Sequence, residues 1–260
     1  MEKKIVDIFQ QQKALITFVV AGDPDFDTTV ENIVALAESG ADLVEVGIPF
    51  SDPVADGPVI MAGDLRAFEA GSTTVKIFEM LRRVRQRTNV PIVLLTYINP
   101  VFKFGYDAFF KEMAQTEIQG IIVPDVPLEE QGDLQKAADQ YQRDLIQLIA
   151  PTSMARLPKL VENASGFLYV VSSLGTTGQR ADFNNERLQD EIKQIRRVTH
   201  LPIAIGFGIH TPEQVAKLAP LADGIIIGSG VVDVIAQHGT SAPQYLREYA
   251  TALKAGLHDV

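Results

Sequence analysis

The sharpest chemical feature of the chain is a carboxylate, Glu45, set in the run Asp42-Leu43-Val44-Glu45-Val46-Gly47. Successive side chains of a strand point to opposite faces, so Leu43, Glu45 and Gly47 share one face and Val44 and Val46 the other. With the valines against surrounding helices, Glu45 points into the core. An unpaired carboxylate is costly to ionise there, and its pKa rises toward the range useful for acid/base work. Two alternatives stay open: a Glu paired with a structural Lys or Arg, or the opposite facing, with Glu45 on the helix side. The loop that follows, Gly47-Ile48-Pro49-Phe50-Ser51-Asp52-Pro53-Val54-Ala55-Asp56-Gly57-Pro58, adds two acids among prolines and glycines. Pro fixes φ and Gly permits unusual turns, so such a loop can hold a carboxylate over a strand end. Asp52 and Asp56 are equal candidates, and each can instead cap a turn.

Three glycine-containing segments follow later apolar runs: Ser172-Ser173-Leu174-Gly175-Thr176-Thr177-Gly178, Gly206-Phe207-Gly208-Ile209, and Gly228-Ser229-Gly230, which opens a short helix at Val231. Glycines let backbone N–H groups approach an anion closely. One such segment alone is an ordinary tight turn. Three at consecutive strand ends point to a phosphate site.

Other chemistries fit worse. His200, His210, His238 and His258 show no ligand spacing, and His210 beside the Gly206 segment reads as a capping or surface residue. The chain has no cysteine, which removes disulfides, thiolate nucleophiles and Cys-based metal sites. No phosphate-binding Gly-Lys-Ser/Thr loop occurs, and no Gly-x-Gly-x-x-Gly opens the first helix. No lysine stands at a strand end to form an imine. Metal and imine chemistry are disfavoured, and no metal site is expected.

These groups need a scaffold. Eight short apolar runs, rich in β-branched residues, recur along the chain: 15–20, 43–46, 92–97, 120–123, 145–149, 167–171, 202–205 and 224–227. Most lack alternation, as strands of a parallel sheet buried on both faces do. Amphipathic stretches lie between them. Thr28 to Ser39 gathers Val30, Ile33, Val34 and Leu36 on one side; Thr74 to Arg87 repeats Val75, Ile77, Phe78, Leu81 and Val84. Thr211 before Pro212 reads as an N-cap followed by Pro at the first helical position. Short extra helices are expected after Pro58, from Ile5 to Gln11 over the barrel floor, and around Tyr245, Leu246, Tyr249 and Leu253. The expected fold is a single (β/α)8 barrel domain spanning residues 1–260, with a doubly wound sheet the weaker option. In the barrel, active sites lie at the C-terminal ends of the strands. Glu45, the Asp56 loop and the glycine segments all fall there.

Length and composition agree. The 260 residues match the ~250 of a typical barrel, and the 46% hydrophobic content suffices for a large core. The 33 acidic against 23 basic residues argue against nucleic-acid binding, which needs a basic patch. A phosphate ligand is still compatible, because helix N-termini can hold it. The N-terminus lacks the apolar run of a signal peptide, and no stretch approaches a membrane span, so a cytoplasmic location is expected.

The segment Leu43 to Pro58 resembles the signature of tryptophan synthase α subunits. The resemblance extends to Phe18 and Gly22-Asp23-Pro24, Tyr97-Ile98-Asn99-Pro100, Pro124-Asp125-Val126-Pro127, Gly175-Thr176-Thr177-Gly178, Gly206-Phe207-Gly208-Ile209 and Gly228-Ser229. It implies retro-aldol cleavage of indole-3-glycerol phosphate, with Glu45 as acid/base and Asp56 accepting the indole N–H. It implies phosphate contacts at Gly178, Gly208, Gly228 and Ser229. Phe18, Leu95, Tyr169 and Phe207 would wall the indole, with ordinary core packing as their alternative role. The segment from Leu174 to about Asn185 would be a lid, closing Thr177 onto Asp56. Here the chain departs from the family: Ser173-Leu174 stand where many members carry Arg and a small residue. The resemblance further implies an α2β2 assembly with a β subunit that holds pyridoxal phosphate, none binding this chain, and partner contacts at Pro53 and near Asn99. Two other readings fit the residues less well. One is a sugar-phosphate isomerase or epimerase on the same barrel; the other is a catalytically dispensable subunit that only activates its partner.

Overall fold

The computed structural model describes residues 4–10, 12–171, 185–206 and 208–258. Among these, nine parallel strand segments occur: β1 Ala14–Val20, β2 Leu43–Gly47, β3 Ile92–Leu95, β4 Gly120–Ile122, β5 Asp144–Leu145, β6 Gln147–Ile149, β7 Leu168–Val171, β8 Ile203–Gly206 and β9 Gly224–Ile227. Their spatial order is β5-β4-β3-β2-β1-β9-β8-β7-β6. The two ends of that order are consecutive in the chain and separated only by Ile146. The sheet therefore closes into a barrel through one run. The single strand expected over 145–149 is two segments: Asp144 and Leu145 pair with β4, and Gln147 to Ile149 pair with β7. Closing a barrel requires a stagger in hydrogen-bond register. Here that stagger falls on one run, whose halves serve different neighbours.

The strand faces are sorted as the pattern demands. Ile16, Leu43, Val93, Ile122, Ile146, Tyr169, Ala204 and Ile226 pack together inside the barrel. Val44, Val46, Ile92 and Leu94 pack outward with helix residues such as Ile33, Leu36, Ile77 and Leu81. Glu45 lies on the inner face with Leu43, which excludes the opposite facing.

The helices begin where capping chemistry permits. Asp25 accepts the Thr28 N–H at 2.7 Å and starts the first helix at Phe26, two residues before the expected Thr28. Thr211 accepts the Gln214 N–H, and the Gln214 side chain returns a bond to Thr211 N–H, a reciprocal cap on the Pro212–Leu218 helix. The long gap between β2 and β3 holds the expected extra helix, Pro58–Glu69. The Thr74–Arg85 helix buries Ile77, Phe78, Leu81 and Val84, but Val75, placed on the same stripe, is 56% exposed. Residues two apart on a helix do not share a face, so Val75 cannot follow Ile77 inward. The Ile5–Phe9 segment is a 3-10 turn that buries Ile5 against the inner layer at the floor. Helix Ala242–His258 covers the outside, with Leu246, Ala250 and Leu253 buried. Thr177, Gly178, nearly all of the Leu174–Asn185 lid segment and Phe207 lie outside the described residues.

Candidate active site

At the C-terminal ends of the strands, a cavity opens into the barrel. Phe18, Glu45, Asp56, Leu95, Tyr169, Gly208, Gly228 and Ser229 line it. Eight residues singled out in the sequence thus meet in one space, drawn from β1, β2, the loop after it, β3, β7 and the segments after β8 and β9.

Strand register sets the walls. Phe18 is paired with Glu45, and Glu45 with Val93, so the carboxylate has an aromatic neighbour on one side and an aliphatic one on the other. Both aromatic rings occupy space that a neighbouring glycine leaves free. A Cβ at Gly47 would lie 2.6 Å from the Phe18 ring, and one at Gly206 would lie 2.6 Å from the Tyr169 hydroxyl. Any larger residue at either strand end would push a ring into the cavity.

Glu45 is 1% exposed, and its Oε2 has no hydrogen-bond partner. No structural Lys or Arg pairs with it among the ion pairs of the described residues. Burial, helped by the nearby Asp56 charge, pushes its pKa up to about 8. Glu45 is therefore a protonated carboxyl at neutral pH, able to give a proton.

Asp56 reaches the cavity from the loop after β2, held by Tyr97. The Tyr97 hydroxyl donates to Asp56 Oδ2 at 2.8 Å and accepts the Ala55 N–H at 3.0 Å. The Phe50 ring stacks on Tyr97 at 5.2 Å. Tyr97 is fixed in turn, because it precedes the Ile98–Phe104 helix and the Asp125 carboxylate accepts the Ile98 N–H. Burial raises the Asp56 pKa, and the Tyr97 bond opposes that rise. Asp52, the equal candidate by pattern, is exposed and bonded to its neighbour Ser51 at 2.5 Å. It takes no part in the cavity lining.

Two further acids stand behind the loop. Asp23 forms a two-pronged ion pair with Arg66, both contacts 2.7 Å, which ties the β1 loop to the Pro58–Glu69 helix. Asp64, on that helix and 6% exposed, has a pKa pushed up to about 8, first by burial and then by Asp56 and Asp23. Sequence reasoning gave no role to Tyr97, Asp64 or Arg66. Tyr97 carried a usable signal, a polar aromatic just past a strand end at the catalytic face. Asp64 and Arg66 carried none, because only the fold turns that helix toward Asp56. Leu148, Pro124, Ala55 and Ile60 also line the cavity. Leu148 could have been found by alternation from the inward-facing Ile146.

Gly208, Gly228 and Ser229 share the cavity lining. Gly228 precedes the helix Ser229–His238, and the first N–H groups of a helix have no partner within it, so an anion can take them up. Among the described residues, no three His, Asp or Glu side chains converge as a metal site. Pro53 and Asn99 stand away from this lining, Pro53 half-buried and Asn99 exposed.

Known proteins share this sequence pattern and fold. The family profile for the tryptophan synthase alpha chain matches residues 7–258. The tryptophan synthase alpha chain of Lacticaseibacillus casei is 50% identical over 254 residues, covering 98% of this chain and 95% of that one. The solved structure of Mycobacterium tuberculosis tryptophan synthase superposes with a TM-score of 0.89 at 31% identity, covering 99% of both chains. A chain of the tryptophan synthase α2β2 complex of Pyrococcus furiosus, a complex described in terms of mutual activation, superposes at 0.87 with 32% identity, over 94% of this chain and 99% of that one. With its barrel closed through a split strand and its carboxylates at the mouth, this chain belongs to the tryptophan synthase alpha chain family.

Proposed function

We propose that this chain cleaves indole-3-glycerol phosphate to indole and glyceraldehyde 3-phosphate in tryptophan biosynthesis, and passes the indole to a tryptophan synthase β subunit in an α2β2 assembly. The observation that carries the mechanism is the meeting of a buried Glu45, its pKa pushed up, with Asp56 in one aromatic-walled cavity. Glu45 delivers its proton to indole C3, which makes that carbon a leaving group. The carboxylate left behind takes the proton of the glycerol hydroxyl as the C–C bond breaks and the aldehyde forms. Asp56 accepts the indole N–H and stabilises the positive charge that develops on the ring, an effect worth several kcal/mol in a dry site. Tyr97 holds Asp56 in place for this.

Phe18, Leu95, Tyr169 and Phe207 wall the indole. Burial and the charges of Glu45 and Asp56 push the Tyr169 phenol well up, so it stays protonated beside them. Gly208, Gly228 and Ser229, together with Gly178, hold the phosphate through N–H and hydroxyl donors. The expected lid from Leu174 to about Asn185, with Thr177, lies almost wholly outside the described residues. Proton transfers complete the reaction, and among the described residues that line the cavity none is a lysine. On this reading the chain uses no cofactor of its own, and pyridoxal phosphate belongs to the β subunit. Pro53 and Asn99 face that subunit. Their neighbours Val54 and Phe102 are 77% and 69% exposed, an apolar rim suited to a partner. Residues 1–260 act as one domain in the cytoplasm. In support, helix Ala242–His258 packs back on the Phe26–Glu38 helix, and among the described residues no helix is long and apolar enough to cross a membrane.

An indole-release assay on the purified chain, with and without a β subunit, tests this reading. Release from indole-3-glycerol phosphate, lost in Glu45→Gln, is expected. Wild-type rates in Glu45→Gln would remove Glu45 from the mechanism.

A further inference from the structure

We propose that Tyr249 is a positioning residue for phosphate binding, fastening the segment after β8 to the helix start after β9 so that both present to one anion. This rests on the phosphate reading of Gly208, Gly228 and Ser229.

The observation is a convergence outside the cavity. Tyr249 comes from helix Ala242–His258, which packs against both the Pro212–Leu218 helix and the Ser229–His238 helix. Its hydroxyl donates to the His210 carbonyl at 2.6 Å, two residues beyond Gly208. The same oxygen lies against Gly230, the residue after Ser229. A Cβ built at Gly230 would sit 2.2 Å from the Tyr249 hydroxyl and 3.3 Å from His210 Nδ1. One oxygen thus touches both loops that flank the expected phosphate position. His210 N–H is taken up by the Gln214 side chain at 2.7 Å, so the segment after β8 is held from both of its backbone polar groups.

The glycine at 230 follows from this contact. Position 230 sits in the first turn of a helix, where alanine is ordinarily preferred to glycine. Here the methyl would displace the hydroxyl and separate the two loops. The charged neighbour is Asp233, on the same helix as Gly230, which together with burial pushes the Tyr249 phenol up and keeps it a donor. Asp233 also acts on His210, whose pKa burial lowers against its charge, so the imidazole is neutral in this contact.

A phosphate held by several N–H groups requires those groups at fixed separation. Loosening one loop against the other weakens anion binding without touching Glu45 or Asp56. The expected signature is therefore in KM and not mainly in kcat. The full chain, with its β subunit for the kinetics, is compared as wild type, Tyr249→Phe, Gly230→Ala and the double variant. Inorganic phosphate and glycerol 3-phosphate serve as binding probes in titration calorimetry. Tyr249→Phe, which removes only the hydroxyl, should weaken both probes and raise KM roughly tenfold, equivalent to about 1.4 kcal/mol, while kcat changes far less. Gly230→Ala should do the same more strongly. Adding Tyr249→Phe to Gly230→Ala should recover part of that loss, because the atom the methyl strikes is gone.

A Tyr249→Phe chain that binds both probes as tightly as wild type, whatever its melting temperature, overturns the proposal. So does a double variant that is worse than Gly230→Ala alone by the full single-variant factor, since the two residues would then act independently. A wild-type chain that binds neither probe removes the phosphate reading itself, and the proposal with it.

Discussion

The two ends of β2 carry acids with opposite fates. Asp42, just before the strand at the barrel floor, is fully engaged. It accepts the Leu15 N–H at 2.7 Å and the Gln12 side chain at 2.8 Å, and it pairs with Lys254 at 2.5 Å. Glu45, three residues on, has a buried oxygen with no partner. The floor repeats its solution. Gln119 before β4 accepts the Ile92 N–H at the start of β3, and Asp223 before β9 accepts the Ile203 N–H at the start of β8. Each of these residues satisfies a backbone donor that the sheet leaves over, which is what a stabilising surface does. The mouth gathers Glu45, Asp56 and Asp64; burial raises all three pKa values, and the Asp56 charge adds to the rise at Glu45 and Asp64. Among the described residues, Asp23 is the mouth acid with a cation, Arg66. The molecule thus gathers its largest carboxylate shifts, at Glu45 and Asp64, at the mouth, where perturbed carboxylates are useful.

Substitutions at the two ends should therefore separate activity from stability. The largest effect is expected for Glu45→Gln, on the order of 10³-fold in indole release, within the range of acid/base catalysis. A change under tenfold would end the argument that the mouth's unpaired carboxyl is the proton donor. Asp56→Asn should follow at roughly 10²-fold, as for loss of one charge-stabilising contact. Asp52→Asn, four residues earlier but outside the cavity, should stay within about twofold, because an exposed side chain away from the site contributes little. Equal losses at 52 and 56 would show that the loop acts as a whole and not through one carboxylate.

The same contrast sets a pH dependence. At pH values below the ordinary Glu value of 4.5, both folded and unfolded chains hold the Glu45 proton. From there up to about 8, only the folded chain holds it, so wild-type stability falls as pH rises; above about 8 the contribution no longer changes. Glu45→Gln removes that proton uptake. Urea denaturation should show the variant gaining on wild type between pH 4.5 and 8, by at most about 1.4 kcal/mol per pH unit. A constant difference across that range would mean Glu45 is not raised. Wild-type activity should decline above about pH 8 as the donor ionises.

At the floor the expectation reverses. Lys254→Met leaves Asp42 partly buried without its cation and should cost roughly 2 kcal/mol, less than a fully buried pair because both groups keep some exposure. The midpoint of urea unfolding should drop while kcat at 25 °C is unchanged. A fall in kcat without loss of stability would break the division between the two ends.

Much of this was legible in the residues. The eight βα units, the inward phase of Glu45 and the caps at Thr211 and Pro58 follow from local rules: alternation in strands, side-chain oxygens at helix starts, and a fixed φ at Pro. These depend on neighbours a few positions away, so the sequence carries them. The resemblance supplied Asp56 over Asp52, and the geometry now gives the reason, since Tyr97 draws one into the cavity and solvent keeps the other. What local rules could not reach were the contacts between distant segments. The barrel's closure at Ile146 depends on register summed around the whole sheet. The approach of Asp64 to Asp56 depends on how the Pro58–Glu69 helix is turned by the Asp23–Arg66 pair, 43 positions apart. The meeting of Tyr249, His210 and Gly230 depends on three helices packed side by side. Sequence determined which groups could do chemistry and at which end of the barrel they stand. Only the tertiary structure decided which carboxylates are left without partners, because desolvation and pairing are set by every element that packs around a group, however far away it lies in the chain.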